Sequence, residues 1–214
     1  MTQFKAFRAF NAPELRALTG VRARIHPEAA KHFAGPGMPD QMASALAQAK
    51  ALPIKELFES FEFFERTRRR IRSKVMADLC CGHGLTGLIF AAFERSVETV
   101  VLVDRERPPS YDRVLDSIAS VAPWVRDKVE YLQQPIERVQ LPEGTNIIAV
   151  HACGVRTDRC IDVAIGAGGA MALMPCCYYR TAADGPRSIR TALGRRTATD
   201  IHRTYRLVEA GYDV

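Results

Sequence analysis

The run ADLCCGHGLTG, residues 77–87, sets an acid ahead of three glycines. Gly82, Gly84 and Gly87 have the spacing G-x-G-x-x-G, a turn that brings backbone amides close to a ligand at the start of a helix. Many nucleotide loops share that spacing, so its neighbours must discriminate. Asp78, near the end of a short apolar strand, would face the negative charge of a pyrophosphate. It suits a ligand with an ammonium group, such as the methionine end of S-adenosylmethionine (SAM). The lysine of a Walker loop is missing. Asp104 closes the strand ETVVLVD, where a carboxylate can accept both hydroxyls of a ribose; that role serves SAM and NAD alike. The plainer alternatives are a turn residue at Asp78 and a helix cap at Asp104.

The elements that must position these residues change character near residue 74. Residues 1–73 read as helical: APELRAL and HPEAAKHF are short candidates, AGPGMPD is a breaker, and LPIKELFESFEFFERTRRRIRSK carries apolar residues at helical spacing after Pro53. From Lys74 short apolar strands alternate with helices. The strands are KVMADLC, ETVVLVD, KVEYLQQ, NIIAVHACG and AMALMPCC. The helices follow the glycine loop and cover SYDRVLDSIASV, TDRCIDVAIGAG and TATDIHRTYRLVEAG, and YDV reads as the start of a sixth strand. Such alternation predicts an α/β fold, a parallel sheet with helices on both faces. The expected division is a helical N-terminal extension, 1–73, and a ligand-binding domain, 74–214. Only YDV is left after the last helix, so the C-terminal strands look incomplete.

DLCCGHGLTG, then VDR, HACGVRTD and PCCYY, resembles class I SAM-dependent methyltransferases. In particular it is similar to the catalytic domain of tRNA 2'-O-methyltransferases acting on position four of the acceptor stem, and to the methyltransferase-like domain of glutathione S-transferase C-terminal-domain proteins. The likeness spans about residues 74–180. It implies a Rossmann-like sheet of order 3-2-1-4-5 and SAM held by Asp78, Gly82, Gly84 and Asp104. Cys80, Arg105, Gln133, Gln134 and His151 complete the expected cofactor set; the glutamines follow strand three, where adenine usually lies.

The same strand order gathers Cys80 and Cys81, His151 and Cys153, and Cys176 and Cys177 at one edge of the sheet. The cysteines admit three readings: small buried packing residues, a zinc site, or a thiolate nucleophile attacking a pyrimidine at C6. No C-x-x-C occurs, adjacent cysteines rarely both reach one ion, and the Asp-x-Pro-Cys of RNA cytosine-5 enzymes is missing, so no metal is expected. His151, Cys153 and Asp158 form the candidate catalytic group. His151 is either a general base or a histidine bonded within its loop. Asp158 either starts a helix or orients His151.

Thirty Lys and Arg against 24 Asp and Glu give a net charge of +6. Two basic segments stand out, RTRRRIRSK with Arg69 and Arg70, and Arg180 to Arg206. With Tyr178 and Tyr179 they would suit a polyanion, and RNA is the expected partner. A small-molecule or protein acceptor, or a SAM-binding module without catalysis, are the alternatives. No apolar run is long enough to span a membrane, the first residues carry no secretory signal, and paired cysteines suit a reducing compartment, so a cytoplasmic location is expected.

Overall fold

The computed structural model describes residues 3–178 and 185–214. Five strands, β1 (Val75–Leu79), β2 (Thr99–Asp104), β3 (Val129–Gln133), β4 (Asn146–Val150) and β5 (Met171–Met174), form one sheet in the order β3-β2-β1-β4-β5. All four pairings are parallel. The α/β class and the expected strand order therefore hold. The order reverses between β1 and β4, the switch point at which ligands meet such sheets.

The helices are α1 (Pro13–Arg16), α2 (Met38–Gln48), α3 (Ile54–Ile71), α4 (Leu85–Phe93), α5 (Ser110–Ala119), α6 (Val125–Lys128), α7 (Val155–Ala167) and α8 (Arg187–Glu209). Alternate strand residues enter two cores. Met76, Val100, Leu102 and Ile148 pack with α2 to α5, while Ala77, Val101, Val103 and Ala149 pack with Cys160 and Ala164 of α7. Strands buried on both faces explain why their sequences are runs of apolar residues rather than alternations. Helix α4 is pressed hardest against the sheet: a Cβ on Gly87 would lie 2.4 Å from Leu102 Cδ2 and 3.2 Å from Asp78 Cβ.

The first 73 residues are not set apart from the sheet. Phe7, Phe10, Phe33, Phe58 and Phe61 share one continuous core with Met76 and Ile148. Phe7 meets Phe61 at 4.9 Å, and Phe10 stacks on Phe33 at 5.2 Å between ring centroids. Of the segments expected as short helices, APELRAL holds α1 and runs on into a 3-10 turn at Ala17–Gly20, and HPEAAKHF is a 3-10 turn at Pro27–His32. AGPGMPD breaks the chain only as far as Gly37. There Pro39, in the first turn, starts α2 instead of ending a helix.

Three expectations are corrected at strand and helix ends. NIIAVHACG and AMALMPCC stop being strand at Val150 and Met174. Cys80 and His151 follow β1 and β4 with φ of 58° and 63°, which turns the chain out of the sheet. YDV is not a strand. Tyr212 instead points its hydroxyl at the carbonyl oxygens of Ala164 (2.8 Å) and Gly169 (2.9 Å), hooking the chain over the end of α7. Helix α8 is longer than TATDIHRTYRLVEAG and is broken at Gly194, whose φ of 77° no other residue type adopts as readily. No helix among the described residues is long and apolar enough to cross a membrane.

Candidate functional site

Two carboxylates fasten the glycine loop to the sheet. The Gly82 N–H donates to Asp104 Oδ2 at 2.8 Å, and the Gly87 N–H donates to Asp78 Oδ2 at 2.9 Å. Gly84 precedes α4 with φ 73°, and a Cβ there would stand 3.0 Å from Leu102. The Tyr131 hydroxyl braces the outer side, 2.9 Å from the Gly82 oxygen. Asp78 is 2% exposed. Burial pushes its carboxyl up to about 7, against the Gly87 hydrogen bond and with help from the charge of Asp104.

A cavity opens on each side of this loop. The larger, about 530 Å³, is lined by Asp104, Arg105, Pro135, Ile136, Val155 and Arg156. The smaller, about 190 Å³, is lined by Glu56, Ser60, Asp78, Gly82, His83 and His151. Cys80 lines both. The expected cofactor residues Asp78, Cys80, Gly82, Asp104, Arg105 and His151 are thus brought together. Gln133 and Gln134 are not among the lining. Gln133 is exposed, and Gln134 spends its N–H on the Asp104 carbonyl oxygen at 2.8 Å. Their place is taken two residues later by Pro135 and Ile136, an apolar wall suited to a flat ring.

Two histidine–carboxylate pairs stand at the smaller cavity, which Glu56, His83 and His151 line. His83 Nε2 lies 2.6 Å from Glu56, and His151 Nε2 lies 2.8 Å from Glu59. The Leu85 N–H donates to His83 Nδ1, so the proton of that ring sits on Nε2 and points at Glu56. The bond from His83 holds the Glu56 carboxyl below its ordinary value. At Glu59 burial pushes up, and the bonds from His151 and Lys55 outweigh it, so that carboxyl too is held low. An ionised Glu59 accepts from His151 Nε2–H and leaves Nδ1 as the basic nitrogen. Both acids come from α3, inside the segment read as an extension. Their only trace in the sequence is an acid at i and i+3 with Ser60 beside them.

Asp158 does not orient His151. Helix α7 begins at Val155, which puts Asp158 in its first turn, where it is buried and receives Arg203 Nε at 2.9 Å and Nη2 at 3.1 Å. Tyr178 also belongs to this anchor. Its hydroxyl donates to Asp200 at 2.9 Å and its ring lies 5.2 Å from the Arg196 guanidinium, which occupies the face expected to stack on a base. Tyr179 and Arg180 lie outside the described residues.

Arg69 and Arg70 are exposed, but at the wrong end of α3 for an acceptor track. Glu56 lies at the cavity, and at 1.5 Å per residue Arg70 is roughly 20 Å farther along the helix. Most of their neighbours are tied to acids: Arg66 to Glu62 at 3.0 Å, Arg68 to Glu94 at 3.3 Å, Lys74 to Glu98 at 3.0 Å.

None of the six cysteines is disulfide-bonded. Burial and the neighbouring Cys176 and Cys177 thiols push Cys153 up to about 12. Cys80 goes the other way, held below its ordinary value chiefly by a bond from Cys160.

Compared with models of known protein families, the chain matches none. No curated protein sequence matches it either.

Proposed function

We infer that the chain is a SAM-dependent methyltransferase with a class I type of sheet. The observation that carries this reading is the pair Asp78 and Asp104, each bonded to an amide of one glycine loop and each lining a different cavity. The larger cavity has the ribose acceptor Asp104 beside the apolar wall of Pro135 and Ile136, as adenosine requires. The smaller has a buried acid for an ammonium group and a histidine for proton transfer.

When bound, SAM supplies an electrophilic methyl group. The protein's part is positioning and one proton. Asp104 holds the ribose, Asp78 the ammonium group, and His151 Nδ1 takes the proton of an acceptor hydroxyl or amine while Glu59 steadies the resulting imidazolium. For the acceptor, RNA rests on the exposed arginines of α8 alone, Arg187 among them, on a helix that Arg203 ties to the turn after β4.

Calorimetry with S-adenosylhomocysteine and NAD tests the cofactor. S-adenosylhomocysteine should bind and NAD should not; tighter binding of NAD sinks the reading. Asp104→Ala should weaken S-adenosylhomocysteine by about ten- to a hundredfold, since a charge-assisted hydrogen bond contributes about 1.5–3 kcal/mol. Incubation with labelled SAM and separate RNA, protein and metabolite fractions tests the acceptor. Label in RNA supports the assignment; label only in the other fractions rejects it, and binding without any transfer favours a non-catalytic module.

Cofactor affinity should also depend on pH through Asp78. Its carboxyl ionises near pH 7 in the unliganded protein and must be ionised to pair with an ammonium. Binding therefore releases a proton, and affinity should rise about tenfold from pH 6 to 8 and then level off. Asp78→Asn should flatten that slope, and an unchanged slope would show that another group causes it. The sign for stability is opposite. A native value raised from 3.8 to about 7 favours the fold below pH 3.8, and this contribution is lost as pH rises to about 7.

A further inference from the structure

We propose that Cys153, Cys176 and Cys177 form a three-thiolate site for a thiophilic d10 metal ion of the Zn²⁺ type, with a fourth position open to solvent. Their sulfurs all lie within 4.8 Å of one another, and those of Cys176 and Cys177 are 3.5 Å apart. Zn–S bonds of about 2.3 Å in a tetrahedron set sulfurs about 3.8 Å apart, so small rotations of these side chains bring them to bonding distance. Adjacent cysteines were not expected to reach one ion; here their two sulfurs stand 3.5 Å apart, with the third brought to them from the turn after β4.

The backbone holds that arrangement from both sides. The His151 N–H donates to the Met174 oxygen at 3.0 Å, and the Gly154 N–H donates to the Cys177 oxygen at 3.4 Å, so the pairing of β4 with β5 continues loosely past the strand ends. Cys153 is caught between these two bonds. On the other side Tyr178, the next residue after Cys177, is fixed to Asp200. The three thiols are therefore presented by a frame that exists without the ion, unlike a set of cysteines on a loose loop. Cys176 is exposed while Cys153 and Cys177 are half-buried, which gives an ion a way in. No fourth Cys, His, Asp or Glu joins them among the described residues. Sites with three protein ligands keep an exchangeable position, and an all-sulfur set selects soft ions over Mg²⁺ or Ca²⁺.

The test uses the reduced full-length chain with the metal alone, free of cofactor and acceptor, so it is independent of the methyltransferase reading. Titration with Co²⁺ under exclusion of oxygen should give one equivalent per chain with thiolate-to-metal charge-transfer bands, displaced by one equivalent of Zn²⁺. Cys153→Ser, Cys176→Ser and Cys177→Ser should each weaken Co²⁺ at least tenfold, and Cys80→Ser should not. In the unaltered protein Zn²⁺ should shield Cys153, Cys176 and Cys177 together from alkylation, which needs no variant to fold. Absence of the charge-transfer bands, binding retained in Cys153→Ser, or shielding of Cys176 and Cys177 without Cys153 would overturn the proposal.

Discussion

Turnover should fall by about 10²–10⁴ when His151 is replaced by asparagine, the range that loss of a positioned general base produces. Asparagine is the variant of choice because position 151 has φ 63°, a conformation that asparagine adopts more readily than alanine. The backbone bond from residue 151 to Met174 survives the change, so the β4–β5 pairing is kept. S-adenosylhomocysteine affinity should change by less than tenfold, since Asp78 and Asp104 are untouched. Glu59→Gln should be milder, costing roughly ten- to a hundredfold in turnover. It keeps the shape of the partner and removes the charge that steadies the imidazolium. Labelled methyl transfer at saturating cofactor, set beside calorimetry, separates the two effects. Unaltered turnover in a folded His151→Asn protein would remove His151 from the mechanism.

Arg203→Met should unfold the protein far more easily than any surface change. Arg203 is 4% exposed and Asp158 3% exposed. The guanidinium donates to both oxygens of that carboxylate and, through Nη2, to the Gly154 oxygen at 3.2 Å. Methionine fills the space but leaves a buried anion without its partner, a change that costs about 3–5 kcal/mol. Arg206, whose Nη1 is 3.8 Å from Asp158, offers partial compensation and favours the lower figure. At about 3 kcal/mol the melting temperature should drop by roughly 6–12 °C for a chain of this size. The double variant Arg203→Met with Asp158→Leu should recover most of the loss, because two apolar side chains carry no unpaired charge. A single-variant loss under 1 kcal/mol, measured by urea unfolding, would mean that water reaches the pair.

What could be read in the sequence, and what could not, divides along a physical line. Strands β1, β2 and β4 announce themselves because both of their faces are buried, so apolar runs survive in the chain itself; the edge strands β3 and β5 are only partly buried. The strand order followed from the resemblance, and Asp104 from its place at a strand end. Glu56 and Glu59 were illegible for the opposite reason. Helical periodicity marks the apolar stripe of α3 and assigns the rest to solvent, yet these acids find partners 27 and 92 positions away. Arg69 and Arg70 misled because a charge run carries no information about which end of a helix meets the site. Gln133 and Gln134 do stand at the end of β3, as read, but the cavity wall is formed just beyond them, by Pro135 and Ile136. Asp158 read as a cap or an orienting acid, since nothing local announces an arginine 45 positions downstream.

The two histidine–carboxylate pairs also differ in when the chain can make them. Bringing residues 92 positions apart together costs about 1 kcal/mol more loop entropy than closing 27, by the logarithmic dependence on loop length. The shorter loop needs only α3, β1 and the glycine turn in place. The longer one needs β4 to have paired with β1, after an intervening stretch of chain that carries β2 and β3. Contacts of such sequence separation dominate the slow part of folding in parallel sheets. The His151–Glu59 pair is therefore expected to close after the His83–Glu56 pair, and a chain without β4 in place would hold its glycine turn with no His151 ring beside it.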